Sequence, residues 1–330
     1  MVLKNFLIWL ILAFVLNPID LAGQDNGCVR RTIPVGVVDS AWNLVPNLGA
    51  TSFRGKLRGH DVQVLSATVD TNPRHIVMLL DASGSMMEPS AQWETEKSLS
   101  ESLIRWGPQW ASIAQMAFAA SVIDTEGFAQ GPLALMKNLH ALLNVCERRK
   151  VAGQTALYDA ILSARGLLDA PKLGDVIYAL TDAGDNKSQA ALRKVGEDLA
   201  EAGIRLFAVV IRREPLDQVR GRTPEEVGGP TQLHSLVEAT GGNTLTLPLV
   251  ITTPVRAYYD AKTRQSALEL ALQRLYQQMS DFYRVELKLP GTVDKPTKWK
   301  LEVIDASGKP MRGVEVHYPQ ELMPCANPSP

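Results

Sequence analysis

Residues 75–86, HIVMLLDASGSM, carry the pattern that decides the fold of this 330-residue chain. An unbroken apolar run at 76–80 ends at Asp81, and Ser83 and Ser85 follow in a short turn. A short apolar run that ends in turn residues is typical of a strand buried on both faces. Ligands bind beyond the carboxyl ends of the strands in an open parallel sheet. The sequence therefore places one carboxylate and two hydroxyls where a binding site is expected.

The region at 74–250 repeats the pattern of a strand followed by a helix. Further strands are predicted at 113–122, 175–180, 205–211 and 244–247, and helices at 93–106, 133–146, 156–168, 188–202 and 232–240. Ser188 is predicted to cap the start of one helix and Gly203 its end. This alternation predicts an α/β fold with a doubly wound, mostly parallel sheet that helices cover on both faces.

Both ends of the chain predict β structure instead. An amino-terminal segment at 24–73 contains strand patterns at 33–38 and 62–69. A long helix is predicted within 251–281, and the segment at 282–330 that follows it alternates apolar and polar residues. Neither β segment is large enough to bury a core alone. We therefore expect a small β subdomain built from both ends of the chain.

The segment at 1–23 has the layout of a secretory signal peptide. Lys4 supplies a positive charge, an apolar run follows at 6–16, and small residues close the segment. A transmembrane helix needs about 20 apolar residues, so the run favours a signal peptide, with an uncleaved membrane anchor as the alternative. We expect a secreted, periplasmic or cell-surface protein that contacts a membrane only if this segment is retained.

The cysteines fit an exported protein. A disulfide can form after export, and a bridge between Cys28 and Cys325 would tie the two ends of the chain together. Cys146 lies in a predicted helix and is expected to be a buried free thiol. The spacings fit no zinc or redox motif.

Three polar turns are predicted to meet at one edge of the sheet. Asp81, Ser83 and Ser85 follow the first strand, Thr155 begins a helix, and Asp182 follows a later buried strand. These are oxygen ligands alone, which suit a hard cation, Mg²⁺ or Mn²⁺, and do not suit zinc. Hydroxyl ligands leave much of the cation's charge uncompensated. A vacant coordination position would therefore attract a carboxylate from outside.

These motifs resemble the von Willebrand factor type A domain with a metal-ion-dependent adhesion site. The family's Asp-x-Ser-x-Ser motif stands at 81–85, its Gly-Gly-Thr-Ala-Leu-Tyr-Asp motif at 153–159 as GQTALYD, and its Thr-Asp-Gly-x-Asp-Asn turn at 181–186 as TDAGDN. Ala183 replaces the usual glycine, and Gly184 is shifted by one place. The resemblance implies that the hydroxyls bind the metal and that the aspartates bind it directly or through water. It also implies that an Asp or Glu of a partner protein completes the coordination.

The flanking β segments resemble exported bacterial proteins that carry such a domain, and the resemblance implies a non-enzymatic adhesion or assembly module. Two alternatives stay open. A Mg²⁺-dependent phosphatase-like hydrolase also has an Asp at a strand end, but it needs a second carboxylate where this chain has Ser83. A metal-free structural scaffold is the other, and the intact ligand set argues against it. The formal net charge of −1 gives no reason to expect nucleic acid binding.

Overall fold

The computed structural model describes residues 28–88, 90–149, 153–213, 224–249 and 257–324. The predicted signal peptide at 1–23 lies outside these residues. The described chain forms a mixed α/β fold with two sheets, one of seven strands and one of six. Within these ranges, no helix combines the length and the apolar character needed to cross a membrane.

The two ends of the described chain consist mainly of strands, and helices occur among strands in its middle part. The strands are β1 (Arg30–Asp39), β2 (Phe53–Leu57), β3 (His60–Asp70), β4 (His75–Asp81), β5 (Ser112–Phe118), β6 (Val122–Ala129), β7 (Val176–Thr181), β8 (Arg205–Arg213), β9 (Thr244–Leu249), β10 (Phe282–Lys288), β11 (Thr297–Val303), β12 (Val314–His317) and β13 (Glu321–Leu322). The helices are α1 (Gly84–Met87), α2 (Ser90–Trp106), α3 (Pro132–Arg149), α4 (Leu157–Leu167), α5 (Leu192–Glu201), α6 (Pro224–Ala239) and α7 (Ala257–Ser280).

The six-stranded sheet has the order β6-β5-β4-β7-β8-β9. Its neighbouring strands are parallel except at one edge, where β6 is antiparallel to β5. The chain leaves β4 toward β5 on one side and later returns to β7 on the other, so the strand order reverses between β4 and β7. At such a reversal a crevice opens at the carboxyl ends of the strands, where ligands bind in open α/β sheets.

The structure of β4 explains why its sequence is apolar without a break. Ile76, Met78 and Leu80 face a core shared with α2, α3 and α7, while Val77 and Leu79 face a second core with α4, α5 and α6. These side chains are 0–1% exposed. Full burial of a side chain of this size stabilises the folded state by about 1.5–3 kcal/mol. Helices thus cover both faces of the six-stranded sheet.

The seven-stranded sheet joins strands from both ends of the chain. Its order is β12-β1-β10-β3-β2-β11-β13, and β10 lies between β1 and β3 as an antiparallel neighbour of both. Tyr283, Val285 and Leu287 of β10 face a single core, which explains their alternation with polar residues. Both ends of the chain thus form one β unit, as expected from the sequence, but with seven strands it is larger than the small subdomain predicted. The sequence prediction did not include β2, which is five residues long, or β13, which is two residues long.

A buried arginine connects the two sheets. Arg205 is the first residue of β8, and its guanidinium donates to the carbonyl oxygens of Gln278 at 2.9 Å and Met279 at 2.6 Å near the end of α7. The same guanidinium lies over the ring of Phe282 in β10, 4.3 Å from its centroid. These contacts hold the passage from α7 into β10 against the amino edge of the six-stranded sheet.

The structure corrects two predicted elements. The strand predicted at 113–122 divides into β5 and β6, because a turn at 119–121 reverses the chain. The helix predicted at 188–202 begins later, as α5, with Ala191 rather than Ser188 at its N-cap. Gly203 follows the end of this helix with a φ of +66°, the left-handed conformation that glycine favours and that the sequence predicted.

The cysteines are in two different environments. Cys146 is a buried free thiol, as predicted, and burial raises its pKa to about 12. Cys28 is disulfide-bonded, but its predicted partner Cys325 lies outside the described residues, so that pairing stays a prediction. The guanidinium of Arg31 donates to the carbonyl oxygen of Met323 at 3.4 Å, so the start of β1 lies close to the end of the described chain.

Candidate functional site

The loop after β4 leads from the core toward the surface. The Oδ1 atom of Asp81 accepts the backbone N–H of Ser83 at 3.0 Å, and its Oδ2 atom accepts the hydroxyl of Thr181 at 2.5 Å. The hydroxyl oxygens of Ser83 and Ser85 are 3.2 Å apart. Asp81 and Ser83 are fully buried, whereas Ser85 is partly exposed. The three oxygen-bearing side chains of the first motif therefore lie in one continuous loop.

The loop after β7 lies beside it, because β7 is the neighbour of β4. The Oδ1 atom of Asp182 accepts the N–H of Gly184 at 3.0 Å, and the hydroxyl oxygen of Thr181 accepts the N–H of Ala183 at 3.0 Å. Since the Thr181 hydroxyl also donates to Asp81, it links the two loops. This role of Thr181 was not predicted from the sequence, although Thr181 directly precedes Asp182 in the motif.

Ala183 has the backbone conformation that glycine favours. Its φ is +68°, whereas Gly184 has no positive φ, so the shifted glycine does not restore the glycine of the motif. An alanine in this conformation carries a strain of about 1–2 kcal/mol. The loop is held by close packing, because a β-carbon on Gly229 of α6 would lie 2.0 Å from the carbonyl oxygen of Ala183.

Thr155 is held against the loop after β7. Its N–H donates to the side-chain oxygen of Asn186 at 2.9 Å, and its carbonyl oxygen accepts the N–H of Asn186 at 3.0 Å. The next residue, Ala156, donates its N–H to the carbonyl oxygen of Ala119, just beyond β5, at 2.7 Å. Thr155 is 3% exposed. The threonine segment therefore joins the other two loops at the carboxyl edge of the sheet.

Side-chain oxygens connect the start of α4 to the loop after β7. The hydroxyl of Ser188 accepts the N–H of Tyr158 at 3.0 Å and that of Asp159 at 3.1 Å. The carboxylate of Asp185 accepts the N–H of Tyr158 at 3.2 Å, and that of Asp159 accepts the N–H of Gln189 at 3.0 Å. Ser188 therefore caps the start of α4 and not that of α5, which corrects the prediction. The sequence did not indicate this contact, because Ser188 is far from α4 along the chain.

Asp81 is buried beside a second carboxylate. Burial and, after it, the negative charge of Asp182 raise the pKa of Asp81 to about 7. Within the described parts of the chain, neither carboxylate forms an ion pair with a lysine, arginine or histidine. A divalent cation bound between them would lower this pKa, because an opposite charge favours the ionised form.

A third acidic residue, Glu96 of α2, lies behind the serine loop. It is 0% exposed, and its Oε1 atom accepts the backbone N–H of Asp81 at 2.6 Å. Burial and then the charge of Asp81 raise the pKa of Glu96 well above its ordinary value. Glu96 is not among the predicted site residues, although an acidic residue on the same helical face as Leu99 and Leu103 is a signal that could have indicated it.

The donor set fits a hard cation with few anionic ligands. The five predicted residues all lie on the three loops at this edge: Asp81, Ser83, Ser85, Thr155 and Asp182. In the described ranges, no group of three or more His, Cys, Asp or Glu side chains is placed to hold a metal ion. The predicted set differs from such a group because three of its members are hydroxyls, which are ligands for Mg²⁺ or Mn²⁺ rather than for zinc.

Comparison with solved structures finds similar chain paths at low identity. BatB from Bacteroides thetaiotaomicron is 17% identical, with a TM-score of 0.41 over 60% of this chain and 98% of its own. The SpRpn10 VWA domain is 12% identical, with a TM-score of 0.40 over 54% and 90%. A von Willebrand factor type A protein from Catenulispora acidiphila is 13% identical, with a TM-score of 0.42 over 89% and 73%. No family model and no curated protein matches the chain. Such low TM-scores assign no family, so the function follows from the residues of the site.

Proposed function

We propose that this protein is an exported, non-enzymatic binding module that contains a von Willebrand factor type A domain. It captures a carboxylate of a partner protein through a Mg²⁺ or Mn²⁺ ion held by Asp81, Ser83, Ser85, Thr155 and Asp182. The observation that carries the proposal is the convergence of three separate loops at the crevice between β4 and β7. The hydroxyl of Thr181 and the side chain of Asn186 join those loops to one another.

The chemistry of the donor set supports capture rather than catalysis. Three neutral hydroxyls leave a bound cation with positive charge that an outside anion can balance. Ser85 is partly exposed, so such an ion would lie within reach of an outside oxygen. Asp81 is unsuited to phosphoryl transfer, because Ser83 stands where a phosphatase of this kind has its second carboxylate.

The first experiment measures Mg²⁺ and Mn²⁺ binding by isothermal titration calorimetry. We expect the wild-type chain to bind one ion and Thr155→Val to bind it far more weakly, since valine keeps the shape of threonine and removes the hydroxyl. Thr95→Val is the matched control, because the Thr95 hydroxyl donates to a carbonyl within α2 on an exposed surface. A wild-type chain that binds neither cation would overturn the proposal.

The second experiment tests capture of a carboxylate. The relaxation rate of water protons reports the water bound to Mn²⁺. We expect this rate to fall when a glutamate-containing peptide is added and to stay unchanged with the matching glutamine peptide. Equal effects of the two peptides would exclude carboxylate capture. Mg²⁺-dependent hydrolysis of a phosphate ester, lost in Asp81→Ala, would show an enzyme instead.

A further inference from the structure

Glu96 is an acidic residue on the buried face of a helix. Trp93, Leu99 and Leu103 of α2 pack into the core of the six-stranded sheet, and Glu96 lies on the same face with 0% exposure. An ionisable side chain in such a position costs folding free energy unless another group compensates for it. Glu96 forms no ion pair with any described residue.

The contacts of Glu96 lead to the loop that carries the candidate ligands. Its Oε1 atom accepts the backbone N–H of Asp81 at 2.6 Å and so fixes the residue from which that carboxylate projects. Its Oε2 atom is buried and has no hydrogen-bond partner among the described residues. The charges of Asp81 and Asp182 both act on Glu96. Two buried acidic side chains and the partly exposed Asp182 therefore lie close together, and no cationic side chain in the described ranges pairs with them.

These three acidic residues are not a ligand set of their own. Among the residues that the structure describes, no three His, Cys, Asp or Glu side chains are placed together to hold a metal ion. The direct contact of Glu96 is with the backbone of Asp81, on the core side of the loop. Glu96 therefore acts on the site through the backbone of Asp81.

We infer that Glu96 is a positioning residue of the cation site, because its Oε1 atom holds the N–H of Asp81 and so fixes the residue whose carboxylate would bind the cation. The inference rests on the cation site proposed above. A variant that keeps an oxygen at this position should keep the affinity for the cation, whereas a variant that removes the oxygen should weaken binding.

The test measures Mg²⁺ binding by calorimetry in Glu96→Met, Glu96→Gln and Glu94→Met of the full chain. Methionine continues the apolar face of α2 and removes the oxygen that accepts the N–H of Asp81, whereas glutamine keeps an oxygen there. Glu94 is a control on the same helix with a side chain that is 64% exposed. We expect Glu96→Met to bind Mg²⁺ about 10- to 100-fold more weakly than wild type. Glu96→Gln is expected to recover most of this loss, and Glu94→Met is expected to bind as wild type does.

The outcomes separate the two proposals. Wild-type binding of Mg²⁺ with unchanged affinity in Glu96→Met overturns this inference alone, as does an equal loss of affinity in Glu96→Gln and Glu96→Met. A wild-type chain that binds neither Mg²⁺ nor Mn²⁺ overturns the cation site and this inference together. If Glu96→Met does not fold, the same measurement is made on Glu96→Leu, and the same outcomes decide.

Discussion

The two edges of the six-stranded sheet differ in whether their buried charged side chains have partners. At the amino edge the carboxylate of Asp70 forms ion pairs with both Arg74 and Arg284, and the guanidinium of Arg205 donates to two carbonyl oxygens. The carboxylate oxygens of Asp175 accept two backbone N–H groups, at 2.9 and 2.8 Å. Each of these charged side chains has partners within the fold.

At the carboxyl edge the charges are left without such partners. Asp81 and Glu96 are buried, Asp182 lies close to both, and in the described chain no lysine or arginine pairs with any of the three. Paired buried charges hold a structure together, and removing one partner is costly. Unpaired buried acids with a shifted pKa are a feature of many functional sites, and the cation site proposed above accounts for them. We call the amino edge the paired edge and the carboxyl edge the unpaired edge.

The largest effect is expected from a substitution that removes an ion pair at the amino edge. Asp70→Ala leaves Arg74 buried without its partner, and we expect a loss of about 3–5 kcal/mol in the free energy of unfolding. Urea denaturation followed by circular dichroism measures it. Asp294→Ala is the control, because Asp294 pairs with Arg58 on an exposed surface, and no change is expected there. Equal losses in the two variants would refute the distinction.

The next largest effect is expected when the hydrogen bond between the loops after β4 and β7 is removed. Thr181→Val keeps the side-chain shape but removes the hydroxyl that bonds to Asp81. A hydrogen bond to a charged group contributes about 1.5–3 kcal/mol, so we expect a loss of that size in stability, together with weaker Mn²⁺ binding. Thr125→Val in β6 provides the comparison. Unchanged Mn²⁺ affinity in Thr181→Val would show that this link does not shape the site.

A smaller effect of opposite sign is expected from Asp182→Asn. The asparagine oxygen can still accept the N–H of Gly184, while the repulsion with Asp81 and Glu96 is removed. In EDTA we expect a gain on the order of 1 kcal/mol in stability. With saturating Mg²⁺ the variant should fall below wild type. Thermal melts in both buffers measure the stability of the variant and of wild type. A variant less stable than wild type in EDTA would contradict the repulsion among the acidic residues at this edge.

The smallest effect concerns His317 in β12, near the paired edge. Burial lowers the pKa of His317, and the nearby Arg205 lowers it further, against the opposing charges of Glu315 and Glu238. Below the unfolded value of about 6.5 the unfolded chain takes up a proton that the folded chain resists. Stability is therefore lost as the pH falls through this value and is unaffected above it.

The matched variants for this pH effect are His317→Gln and His60→Gln. The urea midpoints measured at neutral and at mildly acidic pH should differ less in His317→Gln than in wild type. His60→Gln, at an exposed position, should retain the pH dependence of wild type. Identical pH dependence in wild type and His317→Gln would show that the His317 environment is not the cause.

Local patterns in the sequence predicted the parallel sheet and the loops well. The unbroken apolar run of β4 follows from burial on both faces, and the turn after it follows from Asp81, Ser83 and Ser85. The roles of Thr181 and Glu96 could not be derived in this way. Each role depends on which residues become neighbours in the folded protein. A short stretch of sequence does not determine which strands pair or at what angle a helix packs.

The same limit explains the two largest corrections. Ser188 precedes α5 in the chain but caps α4, because the loop after β7 crosses the start of that helix. The seven-stranded sheet is larger than predicted because β2 is only five residues long and one of its two neighbours, β11, is far away in the sequence. Sequence alternation indicates which face of a strand is buried but not what it lies against.

The placement of β10 between β1 and β3 has a consequence for how the chain folds during synthesis. Arg30 pairs with Lys288, so β1 waits for a partner that is synthesised only after the whole six-stranded sheet. The six-stranded sheet uses a continuous stretch, 75–249, and can close earlier. Until β10 arrives, β1 and β3 expose unpaired edges on either side of a gap, and such edges are templates for aggregation. A chaperone that covers nascent strands would therefore protect this protein most before β10 is made.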